Sequence, residues 1–513
     1  MFKTYLNKTG LAVQKHQVEG VEWCVRNELE GKLAAGVIVR GGLIADEMGL
    51  GKTIQMLGVI VSNFVTRTLI VLPRSLLDQW EEAIITTLGH TPLVYHGHGI
   101  SKITEEVLSS SPIVLTTYGM ITPRKYKDLG LLHKIKWNRV VFDEAHHLRN
   151  KKARLHIGAL KLQSSIRWLM TGTPIQNKKE DFYALCAVMG IPAEYYTSTE
   201  NLMALVRAFI IKRTKAQVGL GLSPLTVKSV VTEWDNENEK NIAEDIHSLL
   251  KFSNIDKQVD NPGMWGESHL PILMRARQMC ICPSLIRNHL ESLSETGAID
   301  DSQNMREAIN SSSKIDKVVD TILERKDNNK GKIVFCHFRG EIDIIKNRLS
   351  GFGIHVETFD GRTKQSKRHE ILTGKCDVLI LQIKTGCEGL NLQQFSEIYF
   401  VSPHWNPAVE DQAIGRCHRL GQSEKVFVFK FNMSGFDEEG ETNSLDTYST
   451  KKQDDKREVM KMLDVHEHSQ YVKSKKLEFA DIMKRMVLPS GNQLPEEVES
   501  IIHEYVGEGC EWL

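Results

Sequence analysis

Residues 46–53 read DEMGLGKT, two glycines followed by a lysine and a threonine. Gly49 and Gly51 allow the backbone to curl so that its N–H groups face a triphosphate. In such a loop Lys52 reaches the β- and γ-phosphates, and the hydroxyl of Thr53 binds Mg²⁺. The stretch therefore predicts a phosphate-binding loop between a strand and a helix.

The residues on either side of this loop have the pattern that the motif requires. GGLIA at 41–45 is typical of a strand, and IQML at 54–57 is typical of a helix start. Asp46 stands where the general pattern has a glycine, but Gly49 and Gly51, the glycines nearest the phosphates, are present. The loop is therefore still predicted to bind a nucleotide, with Asp46 among its binding residues. The strand–loop–helix order favours a nucleotide site over an ordinary glycine-rich turn.

A second motif, DEAH at 143–146, follows an apolar run at 140–142. Such a run predicts a buried strand, which would deliver Asp143 and Glu144 to the carboxyl edge of a parallel sheet. Attack of water on a phosphate needs neutralised charge and a base that orients the water. Asp143 is predicted to hold Mg²⁺, directly or through water, and Glu144 to be the base. The two motifs together predict binding and hydrolysis of a nucleoside triphosphate.

Length and composition limit the class of protein. The 513 residues are too many for one core, so two or three domains are expected. A hydrophobic fraction of 41% and a charged fraction of 25% are typical of a soluble globular chain. Lys+Arg total 65 and Asp+Glu total 65, so net charge gives no hint of a nucleic-acid partner. No apolar run approaches a membrane span and the first residues lack a signal-peptide core, so we expect no membrane partner.

Short apolar segments alternate with amphipathic segments in both halves of the chain. Such alternation predicts an α/β fold class with parallel sheets and crossover helices. Residues 11–225 are predicted to form a first lobe with a helical extension, and 311–456 a second lobe. Residues 226–310 are predicted to be a helical connector, and 457–513 a helical tail or brace.

Within these segments the sequence predicts eleven short strands and two loops. The strands are predicted at 43–45, 68–72, 93–95, 113–116, 140–142, 168–171, 332–336, 355–359, 378–382, 398–401 and 426–431. Residues 300–312 are predicted to be a loop. The polar, acidic stretch 436–456 is predicted to be a mobile loop.

Further motifs follow one another in a set order along the chain. They are KHQVEGVEW at 15–23, LIVLP at 69–73, LDQW at 77–80, TTY at 116–118, TGTPIQN at 171–177, FIIKRTK at 209–215, SSSKI at 311–315, GCEGLNL at 386–392, WNP at 405–407 and QAIGRCHRLGQ at 412–422. Over about residues 11–432, this series resembles the superfamily-two helicase-like ATPases of the Swi/Snf remodelling type. The resemblance implies two RecA-like lobes and use of ATP with Mg²⁺.

The resemblance assigns roles to residues of both halves. Gln17 resembles the residue that reads adenine, and Gln412 would contact the region of the γ-phosphate. Arg416 and Arg419 resemble arginine fingers, which the second lobe supplies and which are worth on the order of 10³–10⁵ in rate. Because these arginines come from another lobe, hydrolysis requires closure of the cleft. His146 is implied as a coupling residue, whereas its position alone allows a plain surface residue.

Four residues are implied as contacts with duplex DNA. Pro73, Arg74 and Thr117 would contact the phosphate backbone, which carries no base information. Trp405 would lie against DNA, whereas composition alone allows a core residue. The GCEG stretch at 386–389 would permit close approach of its backbone to a phosphate. Its central Cys-Glu pair departs from the small or apolar pair common in the family and places the chain near a repair-type subgroup.

We therefore expect a DNA-dependent ATPase that translocates along duplex DNA, with nucleosomes or DNA-bound proteins as further partners. One alternative is a strand-separating DNA helicase, which needs a wedge that a sequence does not reveal. A second is a non-catalytic nucleic-acid-binding scaffold, which is disfavoured because Lys52, Glu144 and both arginines are present. The expected location is nuclear by default, with the cytoplasm or a viral replication site as alternatives. The oligomeric state stays open.

Overall fold

The computed structural model describes residues 13–461, except 125–128, 176–178, 220, 249, 251–268, 296–302, 384–389, 420 and 437–442. Two parallel sheets organise the described part of the chain. The predicted helical tail, 457–513, lies outside the described residues from 462 onward.

The first lobe contains a small hairpin and a seven-stranded sheet whose strand pairs are all parallel. The hairpin strands are β1 (Lys32–Ala34) and β2 (Val37–Val39). The sheet strands are β3 (Gly41–Ile44), β4 (Thr68–Leu72), β5 (Leu93–Tyr95), β6 (Ile113–Thr117), β7 (Lys136–Asp143), β8 (Gln163–Met170) and β9 (Ile210–Ile211). Their order is β5-β6-β4-β7-β8-β3-β9.

Helices cover both faces of this sheet. They are α1 (Lys15–Leu29), α2 (Lys52–Ser62), α3 (Leu77–Leu88), α4 (Glu105–Ser110), α5 (Tyr118–Ile121), α6 (Arg154–Lys161), α7 (Lys179–Met189), α8 (Ala193–Thr197) and α9 (Leu202–Phe209). Alternate residues of β4 enter two separate cores, with Leu69 and Val71 in one and Ile70 and Leu72 in the other. Burial on both faces explains why the strand reads as a continuous apolar run.

The second lobe contains a six-stranded sheet that is also entirely parallel. Its strands are β10 (Leu225–Thr232), β11 (Gly331–Cys336), β12 (Val356–Phe359), β13 (Val378–Gln382), β14 (Phe395–Phe400) and β15 (Val426–Met433). Their order is β10-β15-β14-β11-β13-β12. Two apolar clusters again lie on opposite faces, so that Val334 and Ile333 belong to different cores. The α/β class with two parallel-sheet lobes is therefore confirmed.

Strand β10 corrects the prediction that residues 226–310 are helical from their start. It pairs in parallel with β15 along its whole length and forms an edge of the second sheet. The β-branched residues of β10 favour a strand. Its edge position leaves Val227 and Val231 exposed, so the strand lacks the buried apolar pattern that would have revealed it.

The remaining helices pack around the second sheet and beside it. They are α10 (Glu237–Ser248), α11 (His269–Ile281), α12 (Arg287–Glu295), α13 (Gln303–Asn310), α14 (Ser313–Leu323), α15 (Arg339–Gly351), α16 (Gln365–Thr373), α17 (Pro407–Cys417) and α18 (Leu445–Lys461). Side chains of α10, α11, α13 and α18 share one apolar cluster, which includes Ile246, Met279, Ala308 and Tyr448. Among the described residues, no helix is both long and apolar enough to cross a membrane.

Two predicted loops contain helices. In 300–312, α13 buries Met305 and Ile309, whose spacing of four places them on one helix face. In 436–456, α18 begins at Leu445 despite its polar composition. The reason is that some of its buried side chains are polar, and Asp446 pairs with Lys314 of α14. A polar residue with a buried partner on another element is indistinguishable from a solvated one in the sequence.

A buried ion pair ties α1 to the first sheet. The carboxylate of Glu28 accepts hydrogen bonds from Nε and Nη2 of Arg139, each at 2.6 Å, and from Nε1 of Trp168 at 2.7 Å. The side chains of Glu28 and Arg139 are both 0% exposed. Removing one member of such a pair leaves the other charge buried and uncompensated.

We expect Glu28→Ala to lower the free energy of unfolding of the first lobe by about 3–5 kcal/mol, because Arg139 would lose its counter-charge. Urea unfolding would measure the loss. As a control, Glu30→Ala removes a carboxylate that pairs with Lys32 at the surface, and it should cost less than about 1 kcal/mol. Equal effects of the two substitutions would contradict the structural role of the Glu28 pair.

Candidate nucleotide site and nucleic-acid interface

The predicted phosphate-binding loop joins β3 to α2. Gly49 (φ +90°) and Gly51 (φ +78°) have left-handed backbone conformations, which favour glycine. A Cβ on Gly51 would lie 2.3 Å from Nε2 of Gln17. Gln17 itself lies on α1 and donates to the carbonyl of Leu50 at 3.3 Å. The structure therefore places the predicted adenine-reading residue directly against the loop.

Lys52 is the first residue of α2, and its ammonium group donates to the carbonyl of Asp46 at 2.8 Å. Burial lowers the pKa of Lys52, and the positive charge of Arg416 lowers it further. The carboxylates of Glu144, Asp46 and Asp143 oppose this by raising it. Both predicted carboxylates and one predicted arginine of the second lobe thus lie in the electrostatic neighbourhood of Lys52.

The structure gives the side chain of Asp46 partners within the protein, and its part in nucleotide binding stays a prediction. This carboxylate is buried and accepts hydrogen bonds from Nε of Arg213 at 2.9 Å, from Nη2 of Arg213, and from Nε2 of Gln55 at 2.9 Å. A buried carboxylate needs such partners, and Arg213 supplies them from the segment after β9. The side chain fastens the loop to its surroundings, and the backbone carbonyl is what binds Lys52.

The acidic pair lies at the carboxyl end of β7, as its apolar run predicts. Asp143 accepts a hydrogen bond at Oδ2 from Nε1 of Trp80 at 2.7 Å, and at Oδ1 from the backbone N–H of Glu144 at 2.9 Å. Burial raises the pKa of Asp143, and the negative charge of Glu144 raises it further. Glu144 has a φ of +48°, a left-handed conformation that is uncommon for any residue except glycine.

His146 joins the acidic pair to the end of β8. Its Nδ1 lies 3.3 Å from Oε2 of Glu144 and 3.1 Å from Oγ1 of Thr171. Burial alone would raise the pKa of Glu144, but the hydrogen bond and charge of His146 lower it. Lys52 and Arg416 lower it further, so the net shift is downward. Glu144 is therefore kept ionised, which is the state that can accept a proton.

Three predicted residues of the second lobe come from α17 and the residues after it. Gln412 and Arg416 lie four residues apart on α17, so they share one face of the helix. Arg419 follows the helix, and a Cβ on Gly49 would lie 3.6 Å from its Cβ. Since Arg416 also acts on Lys52, the structure brings both predicted arginines to the phosphate-binding loop.

Thr53 and Asp143 are the residues predicted to hold Mg²⁺. Thr53 lies in the first turn of α2 and Asp143 ends β7, at the same edge of the first sheet. A hydroxyl and a carboxylate are oxygen donors of the kind that Mg²⁺ prefers, and each oxygen of Asp143 keeps acceptor capacity beyond its one N–H donor. Within the described ranges no group of three His, Cys, Asp or Glu side chains could hold a metal ion. The two donors fit a site that phosphate and water oxygens complete.

Predicted DNA contacts cluster where β4 and β6 end. Thr117 ends β6, and Pro73 and the exposed Arg74 follow β4. His96, which follows β5, joins them: its Nδ1 lies 3.1 Å from Oγ1 of Thr117, and its Nε2 contacts Nη1 of Arg74. Burial and the charge of Arg74 lower the pKa of His96, which favours the neutral ring. His96 is not among the contacts predicted from the sequence. Its position directly after a predicted strand is the feature that could have indicated it.

Tyr118 connects this cluster to the acidic pair. Its hydroxyl donates to the carbonyl of Asp143 at 2.6 Å, and its ring lies 5.2 Å from that of His147. His147 in turn stacks on His146, with 4.7 Å between the ring centroids. A continuous set of contacts thus runs from Thr117, next to Tyr118, to the residues around Glu144.

Trp405 packs against α18. Its ring centroid lies 5.9 Å from that of Tyr448 and 5.0 Å from Nζ of Lys456. The same ammonium donates to the backbone carbonyl of Trp405 at 2.9 Å. The structure thus gives this half-buried residue a packing role, which composition alone allowed, and its contact with DNA stays a prediction. The GCEG stretch at 386–389 lies outside the described residues.

Both lobes match known protein domains. Residues 16–194 match the SNF2-related domain, and residues 313–421 match the helicase conserved C-terminal domain. The chain is 28% identical over 468 residues to the "Probable global transactivator" of Orgyia pseudotsugata multicapsid polyhedrosis virus, a match that covers 86% of this chain and 89% of the viral protein. It is 26% identical to "DNA repair protein RAD5B" of Arabidopsis thaliana, covering 77% of this chain and 44% of the plant protein.

Two further matches have different coverage. An "Uncharacterized ATP-dependent helicase" of Mycoplasma pneumoniae is 27% identical, and the match covers 82% of this chain but 40% of the bacterial protein. Among solved structures, the Sulfolobus solfataricus SWI2/SNF2 ATPase core in complex with dsDNA is 23% identical, with a TM-score of 0.38 and coverage of 88% of this chain and 96% of that one. This chain therefore spans less than half of the plant and bacterial relatives and most of the viral one.

The two domain matches divide the nucleotide site between them. The first includes the phosphate-binding loop and the acidic pair, and the second includes both arginines on and after α17. Together the two matches cover more than half of the chain. The chain therefore belongs to the SNF2-related, helicase-like ATPases.

Proposed function

We propose that this chain couples the hydrolysis of ATP to translocation along duplex DNA. The observation that carries the proposal is the shared site, in which Arg419 of the second lobe lies against Gly49 of the phosphate-binding loop. The charge of Arg416 also acts on both Lys52 and Glu144. A site divided between two lobes is complete only when the lobes meet, so any ligand that spans both lobes can control hydrolysis. Relatives described as a DNA repair protein and an ATP-dependent helicase support DNA as that ligand.

Each residue of the site has a separate task in this proposal. Lys52 neutralises charge on the β- and γ-phosphates, and the ionised Glu144 orients the attacking water and accepts its proton. Arg416 and Arg419 stabilise the charge that develops as the bond to the γ-phosphate breaks. Gln17 holds the adenine end of the substrate. Mg²⁺, when bound, supplies further neutralisation of the phosphate oxygens.

Thr53 and Asp143 would hold the Mg²⁺ ion. Gln412 would reach the γ-phosphate from α17, on the same helix face as Arg416.

We further propose that DNA binds at the strand ends that carry Arg74, His96 and Thr117. An arginine and a threonine hydroxyl suit the phosphate backbone and need no particular base sequence. The contacts through Tyr118 give a physical connection from this surface to Asp143, and so a way for bound DNA to act on hydrolysis.

Nucleosomes or DNA-bound proteins would be displaced by such movement, and the nucleus or a viral replication site are the locations that supply these substrates.

The proposal is tested by measuring ATP hydrolysis alone and with duplex DNA, single-stranded DNA, RNA or nucleosomes. Duplex DNA should stimulate ATP hydrolysis, and displacement of a third strand from a DNA triplex should require ATP. Separation of a forked duplex would instead favour the strand-separating alternative. Lack of stimulation by every nucleic acid would overturn the proposal.

We expect Arg416→Ala to leave ATP binding nearly intact and to slow turnover by on the order of 10³–10⁵, which is about 4–7 kcal/mol of barrier. Most of the stimulation by duplex DNA should also disappear, because closure would no longer deliver the arginine. Turnover and nucleotide binding are measured side by side, with the exposed Arg26→Ala of α1 as the matched control. Stimulation equal to that of the wild type would exclude the two-lobe mechanism.

We expect Glu144→Gln to keep the affinity for ATP and to lose turnover by about 10²–10⁴, because the amide keeps the shape of the side chain but cannot accept a proton. Lys52→Ala should differ by weakening ATP binding as well. Equilibrium binding of a fluorescent ATP analogue separates the two effects, and the exposed Glu82→Gln of α3 serves as control. Loss of binding in Glu144→Gln, with hydrolysis retained, would make Glu144 structural.

A further inference from the structure

The residues between β9 and β10 link the two sheets, and one lysine of this linking segment contacts both halves of the nucleotide site. Lys215 lies between β9 and β10, and its Nζ donates to the backbone carbonyl of His418 at 2.9 Å. The same Nζ lies 3.4 Å from Oε1 of Glu47, and the backbone N–H of Lys215 donates to Oε2 of Glu47 at 2.8 Å. Glu47 belongs to the phosphate-binding loop, and His418 directly precedes Arg419. One side chain therefore bridges the phosphate-binding loop of the first lobe and the residues directly after α17 in the second lobe. Those residues begin with His418 and Arg419 and are called the arginine loop below.

A second hydrogen bond ties the other end of this segment to the same arginine loop. Nε2 of His418 lies 2.8 Å from the carbonyl of Ser223, two residues before β10. Burial lowers the pKa of His418, which favours the neutral ring. Because the carbonyl oxygen of Ser223 can only accept, the contact requires the proton of that ring to be on Nε2. The linking segment is thus attached to His418 at two points. Near the start of the segment, Lys215 binds the backbone carbonyl of His418, and near its end, Ser223 binds the side chain of His418.

The environment of Lys215 argues that this bridge is specific. Its side chain is 11% exposed, so the ammonium is mostly removed from water. A Cβ on Gly49 would lie 3.5 Å from Cε of Lys215, which places the side chain directly against the phosphate-binding loop. Nearby positive charges of Lys52 and Arg419 oppose another cation there. Glu47 and the carbonyl of His418 offset this cost, so the ammonium is held where it can reach both acceptors.

We propose that Lys215 is a positioning residue, which holds the loop carrying Arg419 against the phosphate-binding loop when the lobes meet. The proposal rests on the proposed function, since it assumes that Arg419 acts in ATP hydrolysis. Lys215 acts through the backbone of His418 and through Glu47, so it sets where the arginine lies. A displacement of about 1 Å in such a group can cost up to about a hundredfold in rate.

The test compares Lys215→Ala with Lys215→Arg in the full chain. Lys215→Ala should lower kcat for ATP by about ten- to a hundredfold, with KM for ATP and Tm close to those of the wild type. Lys215→Arg should recover most of the rate, because a guanidinium can donate to both acceptors. Lys317→Ala removes an exposed lysine from α14 and should change nothing.

A double substitution distinguishes positioning from a general loss of structure. If Lys215 acts through the arginine loop, adding Lys215→Ala to Arg419→Ala should slow hydrolysis little beyond Arg419→Ala alone. Full additivity of the two losses would overturn the proposal. A raised KM with unchanged kcat would also overturn it, by making Lys215 a phosphate ligand, and so would a lowered Tm without rescue by arginine.

The same measurements separate this proposal from the proposed function. If duplex DNA fails to stimulate the wild-type chain, translocation on DNA is excluded. Hydrolysis without DNA still uses the arginines. In that case the rates of ATP hydrolysis without DNA are compared between Lys215→Ala and Lys215→Arg, and this comparison decides the role of Lys215.

Discussion

A half-buried ammonium group, that of Lys52, is the constraint around which the rest of the site is arranged. Burial disfavours its charge, and carboxylates from the loop and from β7 are needed to keep it. Arg416, Arg419 and Lys215 add further cations at the same place. Such a concentration of positive charge between two lobes favours closure around an anion, so binding of a polyphosphate and approach of the lobes are thermodynamically linked.

Parallel strand ends explain how one lobe can serve two ligands at once. The phosphate-binding loop follows β3 and the acidic pair follows β7, while the candidate DNA contacts follow β4 and β6. Because β7 lies between β4 and β8 in the sheet, the acidic pair is located between the two surfaces. Tyr118, which follows β6, reaches past β4 to contact Asp143, and His146, which follows β7, connects Glu144 to Thr171 at the end of β8.

Parts of this architecture were predictable because they depend on local pattern. The bounds predicted for β4, β5 and β13 agree with the structure, since each is a short apolar run. The positions of Lys52 and Glu144 at one sheet edge were predictable for a different reason, because their motifs follow such runs and the carboxyl ends of parallel strands meet at one edge. Neighbouring residues alone were enough for these predictions.

Other parts were not predictable because they depend on partners far along the chain. Strand β10 is recognisable only beside β15, and the direction of the Asp46 side chain only beside Arg213. Lys215 ends the FIIKRTK motif at 209–215, but the motif does not indicate its partners, and a lysine in a linking segment is usually solvated. The two acceptors that hold it come from different lobes.

The buried pair between Lys314 and Asp446 has a consequence for how the second lobe comes to be folded. Their side chains are 0% and 2% exposed, so Lys314 at the start of α14 has its counter-charge on α18. Gln453 of the same helix donates to the buried Glu410 of α17 at 2.6 Å. The domain match ends at residue 421, before either α18 residue. During synthesis, the second lobe therefore cannot reach its native electrostatic balance until α18 has left the ribosome, and a fragment cut after β15 would keep an uncompensated lysine in its core.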